Sequence, residues 1–353
     1  MSIMQTDETE LELKYLLGQT IEAQAVTEFL RRQKLSFEQS GIELKNRYFD
    51  TPGLDLARND IGLRIRSGEN LHEQTVKTAG RVFSGLHQRP EYNVALDKKA
   101  RLPDLHLFPP VVWPDGFEIA PVQQALTAIF STDFYRTAWK IAVKDGTLIE
   151  LVLDTGTIAS KGRQEAIAEF ELELLSGKSG QGMTALFDLT HALMGSFKMR
   201  PGVKSKAARG YALWLGASGS KQENFSRRLP LADPENFYPQ LDLALRQLQL
   251  GIDACITSVT PQRLEAVSEP LLFLEDIFSL LPDIPDSMKM ESVALLAQVT
   301  ELYSALELRL ARCAGGKKNR EDVNRLLQEF YYHPAVNRLQ LALLKVLLGR
   351  DSQ

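Results

Sequence analysis

Glu10-Leu11-Glu12-Leu13-Lys14 alternates charge with leucine at every step. Successive side chains of a strand point to opposite faces, so as a strand this stretch sets two carboxylates and an ammonium on one face and two leucines on the other. Alone, that describes a half-buried strand with a solvated face. The pattern recurs, however. Arg64 and Arg66 flank Ile65, and Arg89 and Glu91 flank Pro90. Arg136 and Lys140 share a face of 134–141, Glu150 and Asp154 a face of 147–154, and Glu169, Glu171 and Glu173 a face of 166–175, while Lys77 adds a cation on 73–78.

Working outward, period-2 patterning predicts strands at 9–17, 42–50, 61–67, 72–78, 87–96, 134–144, 147–154 and 165–175, with helices near 20–34, 121–130 and 183–195. Sequential strands with few helices between them predict an antiparallel sheet or barrel. No GxGxxG follows a strand and no GxxxxGK[ST] occurs, so dinucleotide and Walker-type phosphate sites lack their signatures. The positions alternating with the charges (Leu11, Leu13, Ile65, Leu151, Leu153, Phe170, Leu172) need cover, and three short helices are too few for an open sheet. Closing eight strands into a barrel reconciles the two faces: an apolar exterior under the helices, and an ionic, wet lumen.

From about residue 235 the period becomes helical, predicting helices at 236–258, 262–281, 287–313, 320–331 and 335–348. Leu241, Leu245, Leu248 and Ile252 form a core stripe, as do Leu296, Val299, Leu302 and Leu306, and Pro282, Pro285 and Gly315-Gly316 punctuate the gaps. The polar stretch Gly216–Ser226 reads as a linker, dividing the chain into 1–218 and 219–353. The class is α+β, an antiparallel barrel with flanking helices followed by an all-α bundle.

The bulk numbers exclude several functions. The 353 residues carry a net charge of −4, so the molecule as a whole is no general nucleic-acid binder. Cys255 and Cys313 lie outside any metal-ligand spacing, which fits a reducing compartment. Residues 1–10 are polar and acidic, unlike a signal peptide, and apolar runs are short and interrupted. These features predict a cytoplasmic protein that does not enter membranes.

Both signs of charge in one lumen need a chemical reason. Arg forks and Lys point charges match phosphate oxygens, whereas carboxylates repel phosphate but hold Mg²⁺ or Mn²⁺, which bridges protein and phosphate. The cations Lys14, Arg64, Arg66, Lys77, Arg89 and Arg136 are matched by the anions Glu10, Glu12, Glu91, Asp154, Glu169 and Glu171, as a site for a metal-bound triphosphate requires. The bland alternative is a set of structural ion pairs. A basic cluster, Lys198-Met199-Arg200 with Lys204-Ser205-Lys206, either closes one mouth of the lumen or forms a solvated turn.

Glu10-Leu-Glu-Leu-Lys14 resembles the ExExK signature of the CYTH domain family, the triphosphate tunnel metalloenzymes. Tyr48-Phe49-Asp50-Thr51-Pro52, Leu63-Arg64-Ile65-Arg66, Thr75-Val76-Lys77, Glu169-Phe170-Glu171-Leu172 and Lys204-Ser205-Lys206 follow in the family's order, so the resemblance covers about residues 8–212. It implies an eight-stranded tunnel that hydrolyses inorganic triphosphate with Mg²⁺ or Mn²⁺. By resemblance Glu10, Glu12, Asp154, Glu169 and Glu171 are metal ligands, and Glu10, Glu12, Lys14 and Glu171 are catalytic. Lys14, Arg64, Arg66, Lys77, Glu91, Arg136, Lys204 and Lys206 bind substrate, with the choice between Lys204 and Lys206 open. Class IV adenylate cyclase, thiamine triphosphatase and a non-catalytic polyphosphate-binding module are the alternatives. The helical half stands where relatives carry a CHAD domain, a polyphosphate-binding module, in a degenerate form: His333 is the region's one histidine.

Overall fold

The computed structural model describes residues 10–83, 86–143, 146–176, 180–216, 232–257, 260–279, 286–314 and 320–349. The first half runs β1 (Glu10–Leu17), α1 (Ala23–Arg32), β2 (Ser36–Asp50), α2 (Asp55–Arg58), β3 (Gly62–Ser67), β4 (His72–Lys77), β5 (Arg81–Phe83), β6 (Leu86–Arg89) and β7 (Glu91–Ala95). It continues through α3 (Ile119–Ala125), β8 (Thr127–Ala142), β9 (Leu148–Ser160), β10 (Arg163–Ser176), α4 (Gly180–Met194), β11 (Met199–Pro201) and α5 (Lys206–Leu215). The rest is helical: α6 (Phe237–Thr257), α7 (Pro261–Ser279), α8 (Asp286–Ala314), α9 (Arg320–Tyr331) and α10 (Pro334–Gly349). The expected linker and the cut at 218 lie outside the described residues, except for Gly216.

The strands form one antiparallel sheet in the order β5-β6-β1-β10-β9-β8-β2-β3-β4-β7, with β11 added beside β1. Among the described residues no ladder joins β5 to β7, so the sheet is not closed by hydrogen bonds as the barrel expectation required. Its ends are instead joined through the chain itself. The strand expected at 87–96 is interrupted at Pro90, which has no N–H to donate to a ladder. One piece, β6, pairs with β1 at one end of the sheet, and the other, β7, pairs with β4 at the opposite end. A single bent hairpin thus spans the gap, and the eight expected strands are recovered once β4 with β5 and β6 with β7 are counted as bent strands.

Two expectations change in this half. The helix expected at 121–130 ends at Ala125, because Thr127–Phe130 extends β8 and pairs with Tyr48–Asp50 of β2. The sequence reading also omitted α5, which here packs on β8, β9 and β10.

The convex face is apolar and covered, as the alternation demanded. Leu13, Tyr15, Leu151, Leu153, Phe170 and Leu172 pack with Val26, Phe29 and Leu30 of α1, Leu186 and Leu193 of α4, and Leu341 and Leu344 of α10. Fully burying each such side chain contributes about 1.5–3 kcal/mol. The helical half adds its own core, in which Leu241, Leu245, Leu248 and Ile252 join Leu296, Val299 and Leu306. Arg200 faces this half rather than the lumen: it pairs with Asp253 of α6 at 2.5 Å. No helix among the described residues is long and apolar enough to cross a membrane.

Candidate functional site

The concave face surrounds a cavity of about 280 Å³ lined from seven strands or strand ends and from the start of α5. Six cations border it: Lys14 of β1, Arg64 and Arg66 of β3, Lys77 of β4, Arg136 of β8 and Lys206 of α5. Four carboxylates accompany them, Glu12, Glu91, Glu171 and Glu173. Those carried by strands converge because they share the concave face, so curling the sheet turns them inward, while Lys206 enters from the start of α5.

An acidic trio adjoins the cavity, and Glu171 is its member that borders it. One oxygen from each of Asp154, Glu169 and Glu171 lies within 4.8 Å of the others, and all three residues are buried. Register explains the arrangement: Glu169 stands opposite Asp154 across β10 and β9, and Glu171 stands opposite Lys14 across β10 and β1. Lys14 Nζ is 2.7 Å from Glu171 and 3.5 Å from Glu169, and Lys206 Nζ is 2.7 Å from Asp154 and 2.8 Å from Glu171, with Glu169 in contact. Arg136 forks onto Asp154 at 2.8 and 2.7 Å and reaches Glu171 at 2.6 Å. Burial would push the Glu171 and Asp154 carboxyls up, but Lys14, Lys206 and Arg136 hold Glu171 well below the usual range, and Lys206 and Arg136 hold Asp154 down. Burial likewise opposes the charge on Lys14 and Lys206, but Glu169, Glu171 and Glu12 raise Lys14, and Asp154, Glu169 and Glu171 raise Lys206.

The opposite wall is cationic and less compensated. Arg64 and Lys77 share Glu91, at 3.2 and 2.5 Å. Arg66 donates to Asn46 Oδ1 at 2.9 Å, and burial together with repulsion from Arg64 and Arg136 lowers its pKa to about 10. An anion placed between these guanidiniums would reverse that repulsion. Tyr48 lies beside them, stacked on Phe130 with ring centroids 4.4 Å apart.

The remaining expected residues fall as follows. Glu10 begins β1 opposite Arg89 in register, but both side chains lie outside the described ones. Lys206 borders the cavity whereas Lys204 does not. Lys140 and Glu150 pair in register across β8 and β9 on the same face as Arg136 and Asp154, but do not border the cavity. Sequence reasoning passed over Arg209 and Asn46. Arg209 had a signal, since it follows Lys206 by one helical turn, but only on a helix that was not foreseen. Gly210 beside it permits close approach, as a Cβ there would overlap the Phe130 ring.

The acidic trio suits a hard divalent cation, because its donors are all carboxylate oxygens. Glu169 Oε1 in particular is buried and turned to the ammonium groups of Lys206 and Lys14, cations whose place a divalent ion would take.

A curled antiparallel sheet here gathers cations on its concave face against a buried acidic trio, donors whose chemistry suits a polyanion and a hard cation. Residues 8–211 match the CYTH domain, and the chain belongs to that family. An inorganic triphosphatase of Haemophilus influenzae is 36% identical over 213 residues, which are 60% of this chain and 56% of that protein. The match thus spans little more than half the length of that relative. Among solved structures, a Hippeastrum protein described as a candidate adenylyl cyclase with dominant triphosphatase activity is 18% identical, at a TM-score of 0.40, covering 57% of this chain and 95% of that one. A candidate adenylate cyclase of Bacillus halodurans is 19% identical at a TM-score of 0.31, covering 52% and 88%. The helical half lies outside the family match.

Proposed function

We propose that this chain hydrolyses inorganic triphosphate to phosphate and pyrophosphate with Mg²⁺ or Mn²⁺. The observation that carries the reading is the division of charge at the cavity: crowded guanidiniums line it, with Arg66 lowered to about 10 by burial and by its neighbours, and a buried carboxylate trio adjoins it through Glu171. A substrate that is anionic along its length and metal-bound at one end complements both. The family membership and the Haemophilus influenzae relative support the same reading.

In this mechanism Arg64, Arg66, Lys77 and Arg136 hold the phosphoryl oxygens, Arg by paired donors and Lys as a point charge. That grip lines up the terminal phosphorus for in-line attack by water and offsets charge developing on the departing pyrophosphate. Asp154, Glu169 and Glu171, with Glu12 and Glu10 from β1, would hold the cation. Bound there, a divalent metal supplies charge neutralisation and a water of lowered pKa. Glu12 and Glu171 border the cavity and orient the attacking water, while Lys14 and Lys206 exchange their acidic partners for phosphate oxygens. Glu91, shared by Arg64 and Lys77, keeps those cations paired until substrate arrives.

The test is to incubate purified protein with tripolyphosphate, ATP or thiamine triphosphate, with and without Mg²⁺ or Mn²⁺, and to follow phosphate and cyclic AMP. Metal-dependent phosphate release from tripolyphosphate, faster than from the other two, is expected. Cyclic AMP from ATP would assign a cyclase, and binding of tripolyphosphate without turnover would assign a non-catalytic module.

A further inference from the structure

Arg209 is buried yet does not border the cavity. Its guanidinium turns to β10, where Nη1 donates to Glu169 Oε2 at 2.9 Å, Nε to Glu165 Oε1 at 2.5 Å and Nη2 to the Ala166 carbonyl at 2.5 Å. The fork occupies one oxygen of Glu169. The other, Oε1, is left to the ammonium groups, in contact with Lys206 and 3.5 Å from Lys14. We propose that Arg209 is a positioning residue that fixes Glu169 through Oε2, so that Oε1 meets the oxygens of Asp154 and Glu171 as a preformed donor set for a divalent cation.

A carboxylate held at one oxygen keeps a single orientation, and a ligand that need not be ordered on binding gives tighter metal binding. Arginine suits the task because its planar donors reach three acceptors at fixed angles, which a lysine cannot do. The competing role is a staple that merely fastens α5 to β10. Glu165 separates the two roles, since its contact with Arg209 fastens the helix without touching the trio. The inference rests on the proposed function only for what the metal is used for, not for the binding itself.

The experiment uses the full chain and Mn²⁺ alone, with the Kd measured by electron paramagnetic resonance and titration calorimetry in the absence of triphosphate, followed by kcat and KM. Arg209→Gln is expected to weaken Mn²⁺ binding roughly ten- to a hundredfold, as loss of a partner to a metal ligand does elsewhere. Its kcat should fall at limiting Mn²⁺ and recover as Mn²⁺ is raised. Glu165→Gln should leave the Mn²⁺ Kd within about twofold, since Glu169 keeps its own bond. If Arg209→Gln does not fold, Arg209→Lys carries the test, with an affinity expected between the two.

Unchanged Mn²⁺ affinity in a folded Arg209 variant would overturn the inference. Equal weakening by Glu165→Gln would overturn it in favour of the staple, and a parent protein that binds no Mn²⁺ would overturn it outright. A parent that binds Mn²⁺ in this Arg209-dependent way but releases no phosphate from triphosphate would leave the inference standing and refute the proposed activity instead.

Discussion

The concave wall of the sheet and the interior of the helical half are equally hidden from water, yet they are made of opposite materials. Asp154 and Glu169 are 0% exposed and Lys14 4%, while Leu241, Leu245 and Leu248 are each 0% exposed. Burying apolar surface stabilises a fold directly, whereas a buried ion-pair cluster loses much of its attraction to desolvation. The helical core therefore accounts for itself as a source of stability. The ionic wall does not, and its retention points to chemistry. Stability and activity should accordingly respond to different substitutions in the two regions.

The largest separation is expected at Lys14 and Arg64. Lys14→Ala should lower kcat/KM on the order of a thousandfold and Arg64→Ala about a hundredfold, the scale of losing a charge-stabilising donor. Circular dichroism should show both variants folded. Near-parent rates in both would remove the roles assigned to them. Conversely, Leu248→Ala in the helical half should cost about 2–5 kcal/mol of stability while leaving kcat within about twofold at temperatures where it is folded. A large loss of kcat in that folded variant would break the comparison.

Smaller effects sharpen it. Tripolyphosphate at a hundred times its Kd should raise the stability of the parent by about 2.7 kcal/mol, read as a shift in unfolding temperature. Arg66→Gln should shrink that shift, whereas Leu248→Ala should keep it.

The weakest effect near neutrality is that of pH. Asp154 and Glu171 lie below the ordinary carboxylate range in the fold, so their stabilisation is present above about pH 4 and is lost as the pH falls further. Lys14 and Lys206 lie above the ordinary ammonium range, so theirs is present below about pH 10.4 and lost only as the pH rises past it. Unfolding temperature against pH should be flat between these limits and fall at both ends. A steep change near pH 7 would contradict these shifts.

Much of this molecule was legible in its residues because strands advertise their faces. Glu12 with Lys14, Arg64 with Arg66, and Glu169 with Glu171 each sit two apart, and that spacing alone puts each pair on one side of a sheet. The leucine stripes of α6 and α8 were equally plain. The apolar and β-branched run around 127–130 was harder, because a short stretch of that kind suits helix or strand until a partner strand decides.

The sequence by itself determined which side chains share a face and that one face is ionic, since both follow from covalent geometry and the period of a strand. Tertiary structure alone decided that the faces close on a common centre, because that depends on a bent hairpin at Pro90 reaching both ends of the sheet. It also brought Lys206 rather than Lys204 to the cavity and Arg209 to Glu169. Those choices depend on how one helix, with Gly210 against Phe130, settles into a cavity that the local sequence does not describe.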